Sequence, residues 1–354
     1  MNRKAFLRSF IPAAIGAMAS KKLLAAPVST DFITSAATPP FLKEGNTVGI
    51  TCPAGYVETN NLQSCFKTLK KWGLNVKYGD TVGKRWQRYG GTDAERLRDF
   101  QSLLDSDSVD AIIFGKGGYG TMRIIDKINW EKFRYKPKWL VGFSDLTTVH
   151  LHIHSNLGIP TIHADMGMGL VADDTASTSL QDILFGKPVN YSVKGFELNR
   201  PGNASGVLVG GNLSLIQACS GSKSDIDTEG KILFIEDVNE YKYQIDRMLT
   251  HLQRSGKLDK LAGLVVGEFS ATKEHHEIVY EQSLEEIIWE KVKEYDYPVC
   301  FRFPSGHIKN NLALKLGVPY QLSVSKQQVD LKETLLPVYT NMPAAKDSTT
   351  TGIR

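Results

Sequence analysis

The sequence predicts an α/β fold in two domains. Three observations carry that prediction. From Thr47 onward, short apolar runs alternate with segments of helical periodicity, the pattern of a parallel sheet covered on both faces. The 354 residues correspond to about two domains at roughly 100–200 residues each. Composition changes between 186 and 205, where "FGKPVNYSVKGFELNRPGNASG" is rich in turn residues and poor in periodicity.

The elements follow in order. Thr47 to Thr51 is a short strand that runs into the turn Cys52-Pro53-Ala54-Gly55. Leu62, Phe66, Leu69 and Trp72 recur at helical steps, so 62–72 is a helix. Asn75–Tyr78 is a second strand. Thr92 to Leu104 is an amphipathic helix whose Thr92-x-x-Glu95 forms a capping box. Val109–Phe114 is a strand, Thr121–Ile128 a helix, Leu140–Phe143 a strand, and a helix then runs to about Asn156. Beyond the link come a helix at Gly211–Cys219, a strand at Lys231–Ile235 and a helix from about Tyr243 to Arg254. A strand at Leu264–Gly267, a helix at Glu281–Glu294 and a strand at Val299–Phe303 complete the pattern. The domains are therefore 45–185 and 206–340, with a linker at 27–44 and a polar tail at 341–354.

The net charge of +4 comes from the start of the chain. Arg3, Lys4, Arg8, Lys21 and Lys22 stand there without an acid, and removing those five leaves about −1 for the rest. A body of that charge has no basic field for nucleic acid. The opening "MNRKAFLRSFIPAAIGAMASKKLLAAPVST" has a basic region, a short apolar stretch and small residues. That is signal-peptide grammar, so 1–26 is read as a leader and a periplasmic or exported location is expected, with the cytoplasm as the alternative. Phe10 to Ala19 is too short for a bilayer helix, which needs about 20 residues, so no stable membrane span is expected. Cys52, Cys65, Cys219 and Cys300 contain no CxxC pair, and four buried free thiols are expected.

In parallel sheets functional residues gather at the carboxyl ends of strands. Ser144 in "GFSDLTT" stands at such an end, either as a helix N-cap or as a nucleophile. A serine nucleophile needs a base, and the base needs a carboxylate. Of eight histidines, His150 and His154 share a helix face at i, i+4, which is half a metal site without its glutamate, and are read as helix residues. His251 and His275-His276 are expected in solvent, and His163 is a candidate to line a cleft. His307 follows a strand and the turn Pro304-Ser305-Gly306, and so is well aimed. Glu236 and Asp237 close the apolar run Lys231–Ile235. Strand alternation puts Ile232, Phe234 and Glu236 on one face and Asp237 on the other. Gly115, Gly117, Gly118 and Gly120 in "FGKGGYGTMR" let backbone amides approach a reacting oxygen. The same segment formally fits G-x-G-x-x-G, in a poor context for a dinucleotide.

At these residues the chain resembles the LD-carboxypeptidase family of serine peptidases. "VGITCPAG", "FGKGGYGTMRIIDKI", "GFSDLT", "VLVGGNLSLI", "LFIEDVNEYKYQIDRMLTHLQRSG" and "FPSGHIKNNLALKLGV" match its segments in order, covering Gly45 to about Ser323. The resemblance implies an N-terminal Rossmann-like or flavodoxin-like domain, a C-terminal α/β domain and a site between them. It implies Ser144 as nucleophile, Glu236 as acid and His307 as base, with the backbone amides of Gly118 and Asp145 as oxyanion donors. It implies release of D-alanine from murein tetrapeptides without metal or organic cofactor, by a homodimer. Lys116 stands where the family usually has arginine, and His163-Ala164-Asp165 where it often has His-Gly-Pro. The leader is a further departure, because the recycling enzymes of the family are cytoplasmic. A microcin C immunity-type peptidase acting on aminoacyl or peptidyl nucleotides is one alternative, and a non-catalytic muropeptide-binding protein another. A generic esterase is disfavoured because Leu146 stands where G-x-S-x-G needs glycine.

Overall fold

The computed structural model describes residues 38–274 and 280–334. The leader 1–26, the tail 341–354 and His275-His276 lie outside the described residues.

Two sheets carry the fold. The first is built from β1 (Thr47–Thr51), β2 (Asn75–Tyr78), β3 (Ala111–Phe114), β4 (Trp139–Gly142) and β5 (Thr161–His163). All of these pair in parallel, with β3 and β4 at the centre of the sheet. Every residue of β3 and β4 is buried, which is why their sequences, AIIF and WLVG, read as continuous apolar runs. Helices α1 (Gln63–Lys71), α2 (Asp93–Asp105), α3 (Glu131–Tyr135), α4 (Thr147–Asn156) and α5 (Thr175–Leu184) accompany it. The capping box of α2 is formed, with Thr92 N–H donating to Glu95 Oε2 at 2.8 Å and Glu95 N–H to Thr92 Oγ1 at 3.3 Å.

The second sheet contains β6 (Asn190–Lys194) and the eleven-residue β7 (Gly202–Asn212), followed by α6 (Leu213–Cys219). Next come β8 (Ile232–Val238), α7 (Lys242–Arg254), β9 (Gly263–Ser270), α8 (Leu284–Val292) and β10 (Val299–Cys300). Then β11 (Leu314–Leu316) returns to the first sheet, antiparallel to β5. Finally β12 (Pro319–Val324) and β13 (Gln328–Glu333) pair antiparallel with β7 and β6. β7 therefore joins a parallel half, β7-β8-β9-β10, to an antiparallel half.

Three differences from expectation have physical causes. Thr121–Ile128 is not a helix but two short 3-10 turns, Thr121–Arg123 and Ile125–Lys127. Ile124 between them, at φ −120°, breaks the helical path. The stretch 186–205 holds β6 and the start of β7. Its alternation is real, but every outward position is polar and exposed, so it lacked an apolar signal. The strand expected at Val299–Phe303 is paired only over Val299–Cys300, and the chain then loops away.

All four cysteines are buried and free. Among the described residues no helix is long and apolar enough to cross a membrane.

Candidate active site

Ser144 sits on a strained turn. β4 ends at Gly142, Phe143 is fully extended, and Ser144 adopts φ +62° before the chain enters a 3-10 turn and then α4. A left-handed conformation costs a non-glycine residue about 1–2 kcal/mol, so the surroundings must hold it. The buried Asp145 carboxylate accepts from Thr121 N–H at 2.9 Å. His150 Nε2 reaches the Gly142 carbonyl at 2.8 Å. The N-cap reading is corrected by this geometry: Ser144 makes no side-chain capping bond, and Phe143 occupies the cap position. Among the described residues the Ser144 hydroxyl has no hydrogen-bond partner.

The glycine segment lies directly against it. A Cβ on Gly117 would come within 2.9 Å of Ser144 Cβ and 3.1 Å of its Oγ, so only glycine allows this approach. Gly118 and Gly120 have φ of +105° and +137°, the region that favours glycine. Beneath them Arg96, fully buried, donates to the carbonyls of Gly120 at 2.8 Å, Gly91 at 3.2 Å and Pro53, and to Asp93 Oδ1 at 2.6 Å. One guanidinium thus fastens three loops. The Asp145 carboxyl, pushed upward by burial and held back by bonds to Thr121 and Gly120, fastens the same segment to the serine turn.

Glu236 lies within β8, fully buried, opposite a bulge at which Gly267 and Glu268 of β9 face one residue. Bulges re-aim side chains beside sites of chemistry. Its Oε2 meets His307 Nδ1 at 2.6 Å. An ionised carboxylate can only accept, so Nδ1 carries the proton and Nε2 presents its lone pair. His307 is mostly buried, and its ring lies 4.7 Å from that of Phe143, the residue before Ser144. The turn before it depends on close backbone approach. A Cβ on Gly267 would come within 2.4 Å of the Ser305 carbonyl, and one on Gly306 within 3.0 Å of Glu236 Cβ. Asn311, fully buried, accepts from Gly306 N–H at 2.9 Å and donates to Asp165 Oδ1 at 2.9 Å. Burial raises the Asp165 carboxyl to about 6.

Asp237, on the opposite face of β8 as alternation requires, accepts from Asn212 Nδ2 and Ser214 N–H, both at 2.9 Å. Asn212 N–H donates to Thr147 Oγ1 at 3.0 Å, which ties the start of α4 to the carboxylate strand.

Two of the other histidines, His150 and His154, are structural. Burial lowers His150 to about 4 and His154 to about 3, and both bond within the fold, His154 Nε2 to Thr161 Oγ1 at 3.1 Å. His163 is fully buried between Phe143 and Phe234 and does not open onto a cleft. His251 is half-buried instead of solvated. Arg96, Asn311, Asn212 and the Asp145 side chain carried no sequence signal, because single polar residues have no periodicity and their partners are distant in the chain.

A serine on a strand-to-helix turn beside a glycine segment, and an imidazole bonded to a buried carboxylate, are the kinds of group that serine hydrolases use. The chain belongs to the LD-carboxypeptidase family: the family's N-terminal domain matches residues 48–164 and its C-terminal domain residues 205–322. It is a serine-type carboxypeptidase. It is 34% identical over 298 residues to the "Probable murein peptide carboxypeptidase" of Bacillus subtilis (strain 168), covering 82% of this chain and 92% of that protein. It is 27% identical over 282 residues to the "Murein tetrapeptide carboxypeptidase" of Pseudomonas aeruginosa, covering 76% and 91%. The crystal structure of muramoyltetrapeptide carboxypeptidase from Oxalobacter formigenes superposes with a TM-score of 0.73 at 26% identity, covering 82% of this chain and all of that one. The wild-type microcin C7 self-immunity protein MccF superposes with a TM-score of 0.75 at 20% identity, covering 83% of this chain and 98% of that one, a likeness of fold.

Proposed function

We propose that this chain releases terminal D-alanine from murein tetrapeptides through Ser144, His307 and Glu236. The observation that carries the reading is the 2.6 Å bond between His307 Nδ1 and the buried Glu236, on a ring packed against the residue preceding Ser144. The names of the Pseudomonas and Oxalobacter relatives supply the substrate.

His307 Nε2 takes the proton of Ser144 Oγ as the oxygen bonds to the scissile carbonyl carbon. The carbonyl oxygen becomes an oxyanion held by the backbone amides of Asp145 and Gly118, each worth about 3–4 kcal/mol of barrier. The tetrahedral centre collapses, the C–N bond breaks, and His307 delivers its proton to the leaving D-alanine nitrogen. Water, deprotonated by the same nitrogen, then hydrolyses the acyl-enzyme and restores Ser144. Glu236 keeps the tautomer and stabilises the positive ring through a short bond out of water.

The test is a defined tetrapeptide incubated with the purified chain, with free D-alanine read by mass. Ser144→Ala is expected to lower release by at least about 10³-fold while the protein stays folded. Release that survives the substitution overturns the assignment.

A further inference from the structure

Beside the glycine segment lies a patch of cations that the reaction above leaves unused. Arg85, Arg88 and Lys116 form no ion pair among the described residues. The acids of this side are engaged elsewhere: Asp93 with Arg96 and Arg123, Glu95 with Lys84. Glu58 and Asp80 lie within ion-pair distance of none of the three. Their charged heads sit on aromatic rings. The Arg85 guanidinium is 4.4 Å and Lys116 Nζ 5.8 Å from the Tyr56 ring, and Arg88 is 5.8 Å from Tyr119.

The patch is built onto the serine's surroundings. Gly55 N–H donates to the Gly117 carbonyl at 2.9 Å, Tyr56 N–H to the Arg88 carbonyl at 3.4 Å, and Gly90 N–H to the Ala54 carbonyl at 3.0 Å. Those bonds stitch the loops 53–56, 85–90 and 116–120 together, with Arg96 under them. Lys116 precedes Gly118 by two residues, at most about 7 Å of chain. Gly117 lies close enough to Ser144 that a Cβ on it would come within 2.9 Å of the serine Cβ. A carboxypeptidase must read a free carboxylate a few bonds from the carbonyl it attacks. Guanidinium groups held over rings without an acidic partner, with Arg85 Nε also donating to the Gln87 carbonyl at 3.1 Å, are preorganised to grip one.

We propose that Arg85, Arg88 and Lys116 form the subsite that holds the terminal α-carboxylate of the departing residue. This rests on Ser144 being the attacking group. The rings of Tyr56 and Tyr119 hold the cations in place without neutralising them, which an acidic neighbour would do. Arginine at 116 offers a two-toothed grip where lysine offers one point charge.

The experiment compares kcat/KM for a tetrapeptide acid with that for its C-terminal amide. Wild type is expected to favour the acid by about 100-fold, the worth of one or two charge-assisted hydrogen bonds. The ratio is expected to fall to within about threefold in Arg85→Gln/Arg88→Gln/Lys116→Met, and to be at least maintained in Lys116→Arg. A thermal melt verifies that the triple variant is folded; should it not fold, the three single variants carry the same readout. An acid-to-amide ratio unchanged by the substitutions overturns the subsite and leaves the serine reading standing. A ratio unchanged while preference for diaminopimelate over lysine at the third residue falls assigns the cations to that side-chain carboxylate instead, and also overturns it. If wild type releases no D-alanine, the serine reading fails and the subsite with it.

Discussion

The serine side and the histidine side of the site are held by different physics. Ser144 is placed by backbone: a left-handed residue, glycines with positive φ, and an approach to Gly117 too close for any Cβ. His307 is placed mainly by side chains: Glu236 bonds its ring and Asn311 clamps the preceding turn, which Gly267 and Gly306 also keep close. The two sides meet through Phe143 against the imidazole and through Thr147, Asn212 and Asp237 behind it. A side set by backbone fails when volume is added. A side set by hydrogen bonds fails when a polar atom is removed.

Glu236→Gln breaks the histidine side with the smallest change of shape. The amide oxygen can still accept from Nδ1, but the negative charge beside the positive ring is gone. A fall in kcat on the order of 10³- to 10⁴-fold is expected, with KM little changed, from steady-state D-alanine release. A fall of less than tenfold would show that the pair serves only to hold shape. Gly117→Ala breaks the serine side. Its Cβ overlaps Ser144 Cβ at 2.9 Å, so one of the two must shift. A displacement of that kind costs about 100-fold in kcat, measurable in the same assay. Unchanged turnover would mean that the turn yields and that close backbone approach does not set the position of Ser144.

The two sides were unequally legible in the sequence. The first sheet was readable because strands buried on both faces are continuous apolar runs, and the α2 capping box could be read from two residues. Ser144, Glu236 and His307 stood out because each lies at or near a strand end, and the family resemblance joined them. The antiparallel strands β6, β12 and β13 did not stand out, since exposed polar residues interrupt each of them, three of five in β6 and two of six in each of the others. Nor did the clamps. Asn311 reaches Asp165 across 146 residues of chain, and Arg96 reaches Pro53 across 43. No local rule connects such pairs, and a buried polar residue looks like a surface one until its partner is known.

Asn311→Leu tests the clamp without touching the Glu236–His307 pair. The Gly306 amide and the Asp165 carboxylate lose their partner inside the protein. Each buried group left unsatisfied costs about 1–3 kcal/mol, so the midpoint of urea unfolding should drop clearly. Turnover should fall about tenfold as the His307 turn loosens. Lost stability with intact turnover would make Asn311 a purely structural residue.

Asp237→Asn has the smallest expected effect and probes the link between the sides through pH. Burial, with the neighbouring Glu236 adding to it, raises the Asp237 carboxyl to about 7 from an ordinary 3.8. Between those values the folded protein holds a proton that the unfolded chain has released, so stability falls as pH rises through that window. The contribution is complete below about 4 and lost above about 7. Asparagine cannot titrate, so the variant lacks this slope. It also carries a constant penalty, because its amide cannot accept from both Asn212 and Ser214. Urea unfolding from pH 4 to pH 8 separates the two contributions. The stability of wild type minus that of the variant should decline across the window and then level off. A difference that rises or stays flat there would mean that Asp237 is ionised throughout, held so by its three N–H donors at Asn212, Ser214 and Val238. The link between the halves would then be a permanent charge, and the serine side would be anchored by electrostatics as much as by backbone.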